Sequence, residues 1–151
     1  MNRMLVVLAA SLLLSTAHAA TPAYVPGMGE IMGATQMRHS KLWFAGREKN
    51  WALADYELYE IREGLDDAVT YHPVFKEGVP VSKILEKFMA PPLKALGKAI
   101  KTEDAGKFAK AFDALTNACN ACHRTAGRGF IVIRRPDVSP YSNQDFSPRP
   151  R

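Results

Sequence analysis

Residues 108–123 read "FAKAFDALTNACNACH". Phe108, Phe112, Leu115, Cys119 and Cys122 follow one another at steps of 4, 3, 4 and 3. That is the spacing of one face of an α-helix. The positions between them are alanine or polar. The segment therefore reads as an amphipathic helix whose apolar stripe has to be buried against other helices. Both cysteines lie on the inward stripe near the helix end, with His123 one position round. Thr102 is expected to cap this helix, with Glu103 and Asp104 near its positive end.

Upstream, the same period recurs. Ile84, Leu85, Phe88 and Met89 open a helical segment at Ser82, and Leu93, Leu96 and Ile100 continue it. Pro91 and Pro92 fall between the two runs, so a kink or restart is expected there. Trp51, Ala54, Leu58, Ile61, Leu65 and Ala68 mark a helix capped by Asn50, with Glu57, Glu60, Arg62 and Asp66 at polar positions. Tyr71 to Ser82 holds two prolines and a glycine and reads as a loop. The first helix spans Gly27 to Gly46, with Met28, Met32, Thr35, His39 and Leu42 on one face. Gly46 is expected to end it.

After the cysteine motif the pattern changes. An apolar run from Phe130 to Ile133 is followed by four prolines, which reads as an extended segment lying over the helices. Four helical segments with short connections imply an all-α fold, an antiparallel four-helix bundle with an extended proline-rich C-terminal tail. The expected division is a leader over residues 1–19, a bundle over 20–135 and the tail over 136–151.

The leader reading rests on "MNRMLVVLAASLLLSTAHA": a charged start at Arg3, an apolar run from Met4 to Leu14, then Ala17-His18-Ala19. This is the three-part pattern of a secretory signal. The run is well short of the ~20 residues a spanning helix needs, so no stable membrane insertion is expected. The chain of 151 residues has a net charge of +5; without Arg3 it keeps 19 basic against 15 acidic residues. The basic residues are scattered, which gives no nucleic-acid footprint.

An exported protein with two cysteines ordinarily suggests a disulfide. A bridge between Cys119 and Cys122 would close too short a loop to stabilise much. A zinc site wants four ligands, and here His39 and His72 would have to come from afar. A thioredoxin-like pair opens a helix after a strand, whereas this pair closes one. C-x-x-C-H is the attachment signature of c-type haem. Two thiols three apart on a helical turn point the same way and can add to the two vinyl groups of one porphyrin. The next imidazole then reaches the iron. Cys119 and Cys122 are thus expected to bind one covalent haem c, with His123 as the proximal iron ligand. Export agrees, since haem is attached outside the bacterial cytoplasm.

With these residues in place, the chain resembles the class II c-type cytochromes, the cytochrome c-prime group and its low-spin relatives. The resemblance implies that the distal side of the haem faces the first helix. Some members place a methionine there and others leave the iron five-coordinate. On that basis Met32 is the expected sixth ligand, with His39, Met28, Met37 or no ligand as alternatives. The tail departs from the class, whose chains end soon after the haem helix. Aromatic residues Trp43, Trp51, Tyr56 and Phe112 read as packing first. Arg38, Arg124 and Arg128 are candidates for pairing with haem propionates, and His72 is expected to be exposed.

The functional expectation is an exported, periplasmic mono-haem cytochrome that passes single electrons to and from a periplasmic redox partner protein. A homodimer is conceivable from the class. The alternatives are a five-coordinate module binding nitric oxide or carbon monoxide, and a haem-bearing subunit of a larger complex docked by its tail. No acid, base or nucleophile constellation is present, so the chain is not expected to be an enzyme.

Overall fold

Residues 23–75 and 78–149 are described by the computed structural model. The expected leader, 1–19, lies outside the described residues. Five helices follow in order: α1, Met28–Arg47; α2, Trp51–Tyr71; α3, Val81–Phe88; α4, Ala90–Lys101; and α5, Ala105–Thr125. The fold is all-α. Among the described residues the only β-type pairing is an isolated bridge between Val74 and Pro80.

Helix ends follow from local chemistry. Asn50 caps α2 by accepting from the Leu53 amide. The cap of α5 is Asp104, which accepts from the Lys107 amide, and not Thr102. Thr102 instead closes α4, its hydroxyl donating back to the Lys98 carbonyl. A Schellman turn lies between them. Glu103 takes a positive φ of 52°, and the Asp104 amide reaches the Ala99 carbonyl. Lys49 does the same after α1, at φ 59°, with the Asn50 amide on the Ala45 carbonyl. Glycine is the residue that occupies this position without steric cost. Lys49→Gly and Glu103→Gly are each expected to raise stability by about 0.5–1 kcal/mol, read as an upward shift of the urea midpoint.

The break between α3 and α4 falls at Met89, ahead of the two prolines. Pro91 and Pro92 sit in the first turn of α4, where a missing amide hydrogen costs least. Their absent donors leave the Lys87 and Phe88 carbonyls without helical partners, and this is what separates the two helices.

α1 packs mainly on α2, and α4 on α5. One half of the molecule is a dry core. Leu42, Phe44, Leu58, Leu96, Ile100, Phe108 and Phe112 are almost fully buried there. Trp43, Trp51 and Phe112 surround Phe108, with ring centroids 5.8–6.3 Å from it. Gly46 does not end α1, which runs on to Arg47. Its role is close approach: a Cβ there would lie 2.1 Å from the Phe108 ring. Gly46→Ala is expected to cost about 2 kcal/mol, because a buried ring between two tryptophans has nowhere to move. A thermal melt checks this.

Glu57 departs from its expected polar position. It is buried, held by Arg38, which also pairs with Glu60. Burial raises its pKa, and Arg38 opposes that rise.

α5 ends at Thr125, and among the described residues the tail after it has no regular element. It runs back over α1 and α5. Arg135 pairs with Asp113 and lies over the Trp43 ring. The Tyr141 hydroxyl donates to the Met37 carbonyl. Phe146 is buried against Phe44.

Candidate functional site

The half of the molecule opposite the aromatic core is hollow. A cavity of about 590 Å³ lies where the first half of α1, the last half of α2, α3 and the end of α5 meet. Its volume is that of a site for a sizeable cofactor. The walls are mainly apolar: Ile61, Leu65, Val81, Ile84, Leu85 and Leu115 among others. Cys119, Cys122 and His123 stand together on the α5 wall, and Met28 and Met32 on the α1 wall. Gly29 and Gly33 also face it, each with open space where a Cβ would stand.

The helical steps of α5 explain the α5 wall. Leu115, Cys119 and Cys122 continue the stripe that begins at Phe108, so the cysteines emerge where the buried core gives way to the cavity. Both thiols are free. Burial pushes the Cys119 thiol up to about 12 and the Cys122 thiol up to about 11. A thioredoxin-type pair needs the opposite shift. Among the described residues no group of three or more His, Cys, Asp or Glu side chains is placed to hold a metal ion, which leaves the zinc reading without a ligand set.

His123 is oriented by the tail. Its Nδ1 lies 2.9 Å from the Ile131 carbonyl oxygen. A carbonyl only accepts, so Nδ1 carries the hydrogen, and in the neutral imidazole the lone pair is then on Nε2. A third Schellman turn makes this contact possible. Gly127, at φ 65°, turns the chain, and the Arg128 amide caps the carbonyl of His123 itself.

Compared with family models, curated proteins and solved structures, this chain matches none. The site is therefore read from its own residues.

The methionines and histidine expected opposite His123 separate. Met28 and Met32 line the cavity, half-buried, and Met32 also packs against the core cluster. Met37 is not among the lining residues; its carbonyl receives the Tyr141 hydroxyl on the tail side. His39 lines the wall but is neither solvated nor free. It is buried, 4.4 Å from the Phe112 ring, with Nε2 bonded to Thr116 Oγ1 at 2.9 Å. Burial lowers its pKa to about 4.

Several residues stand elsewhere than expected. His72 is half-buried and lines the cavity, its Nε2 donating to the Pro26 carbonyl at 2.9 Å. Trp43, Trp51 and Phe112 pack in the aromatic core, as expected, whereas Tyr56 is exposed. Arg38 is committed to Glu57 and Glu60, whereas Arg128 reaches the cavity wall. Met89, at the break before α4, lines the cavity too and was not singled out in the sequence. Its signal was the double proline, which makes the helix stop there.

Proposed function

We propose that this chain is an exported, periplasmic mono-haem c-type cytochrome that carries single electrons. In this reading the helices form an antiparallel four-helix bundle, with α3 and α4 counting as one broken helix. One observation supports it above the rest. Cys119, Cys122 and His123 line a single apolar cavity, and the hydrogen bond to Ile131 leaves the Nε2 lone pair of His123 free to bind iron. The residues fit haem c by number and chemistry: two thiols for two vinyl groups, one oriented imidazole, and apolar walls.

Bound there, haem c would supply a one-electron iron couple. The chain's own residues do the rest. Cys119 and Cys122 anchor the group, and their burial keeps both sulfurs as thiols until then. His123 and Met32 would be the residues that hold the iron, His123 through Nε2 and Met32 through its thioether. A thioether in that place raises the reduction potential relative to a second imidazole. Apolar side chains from α2 and α3 exclude water, which limits rearrangement between oxidation states. Arg128 is placed to meet a propionate through a charge-assisted bond. The partner in this reading is a periplasmic redox protein.

The visible spectrum of protein matured in a haem-attaching periplasmic host tests this. A low-spin spectrum with a sulfur-to-iron band near the red edge, indifferent to carbon monoxide, is the expected result. A high-spin spectrum that shifts with carbon monoxide would replace electron transfer by gas binding.

A further inference from the structure

The tail segment 130–135 does more than cover α5. Asn120 grips Ile133 by both backbone groups: its Nδ2 donates to the Ile133 carbonyl at 2.8 Å, and its Oδ1 accepts from the Ile133 amide at 2.7 Å. Two residues earlier in the tail, the Ile131 carbonyl meets His123 Nδ1 at 2.9 Å. The two contacts run in opposite chain directions. Asn120 and His123 are three apart and share a face of α5. Three helical residues advance about 4.5 Å, and two extended residues about 6.6 Å. The tail therefore runs back along the helix end, with Ile133 on Asn120 and Ile131 on His123. Ile131 and Ile133 also face the cavity. Arg135 fixes the segment again at Asp113.

We infer that Asn120 is a positioning residue: by clamping Ile133 it holds the Ile131 carbonyl on His123, and so sets the tautomer and the donor strength of the proximal imidazole. The inference rests on the reading of His123 as the haem ligand. An imidazole whose other nitrogen donates to a carbonyl is a more basic ligand, and losing such an outer partner typically changes metal affinity 10–100-fold. A more basic imidazole favours the ferric form. Loosening the clamp should therefore favour the ferrous form.

The test is Asn120→Ala in the full chain matured in a haem-attaching host, with mass reporting haem attachment. Amide exchange at Ile133 and the ¹⁵N signature of His123 read the clamp whether or not haem is bound. The expected result is at least tenfold faster Ile133 exchange and loss of the Nδ1–H preference. With haem bound, the ferric-to-ferrous equilibrium should move about tenfold toward ferrous, which is 59 mV for a one-electron couple. Asn120→Asp keeps an acceptor for the Ile133 amide and loses the donor, so it should give smaller changes of the same sign. Unchanged exchange and tautomer in both variants would overturn the clamp. Absence of haem from the wild-type chain would overturn the functional reading while leaving the clamp to be judged by exchange.

Discussion

The double variant Cys119→Ser, Cys122→Ser is expected to lose covalent haem completely. Serine preserves size and helical fit, and it removes the only two sulfurs that can form thioethers in this motif. Both positions are partly buried against the core cluster, so the change leaves α5 in place. The readout is haem that stays with the chain after denaturation, by mass and by haem stain. Wild type should carry one group per chain and the double variant none. His123→Ala provides the contrast: both thiols remain, and the loss falls on the proposed iron ligand. Haem retained by the double serine variant would exclude thioether attachment, and a wild type that never acquires haem would exclude the whole reading.

What could be read in the sequence was what depends on near neighbours. The stripe of α5, the Asn50 cap and the C-x-x-C-H motif are each set within one or two helical turns, and each lies where the period placed it. The cap of α5 was misplaced by two residues for an intelligible reason. Thr102 and Asp104 are both good caps, and only the left-handed turn at Glu103 decides between them. No propensity favours glutamate in that conformation. Glu57 was read as exposed because a carboxylate usually is, and its burial depends on Arg38, nineteen residues away.

The site shows the same division. The α5 wall was legible, since its residues are contiguous. Of the opposite wall, the face of α1 with Met28, Met32 and His39 was legible too, and the pieces from α2, α3 and the tail were not. His72 looked like a loop histidine until Pro26 was seen to accept from it. Nothing in the spacing singles out Asn120. Its role depends on a chain segment thirteen residues later that carries no period of its own. Signals of this kind lie in tertiary pairing, which single-sequence spacing does not encode.

The second large effect concerns acid. His39 is held neutral: the Thr116 hydroxyl donates to the Phe112 carbonyl at 3.0 Å, so its oxygen accepts from His39 Nε2–H. Phe112 is apolar and Thr116 is uncharged, and burial alone lowers the imidazole pKa to about 4. In the unfolded chain the ordinary value is 6.5. Between these values the unfolded state binds a proton that the folded state refuses. The contribution is fully present above pH 6.5 and is lost as pH falls toward 4. Over that window the loss amounts to about 3 kcal/mol, at 1.36 kcal/mol per pH unit. His39→Gln keeps an amide donor for Thr116 and cannot take up a proton. Urea midpoints at pH 7 and pH 4.5 for both proteins separate this histidine from the carboxylates, which titrate equally in each. The wild type should lose most of about 3 kcal/mol more than the variant over this interval. Equal losses would mean that the imidazole is charged in the folded protein, with Nδ1 and Nε2 both donating. A doubly protonated imidazole has no lone pair for a metal, and in the neutral form the bond to Thr116 occupies Nε2, so in either state Met32 stays ahead of His39 as the proposed iron ligand on α1.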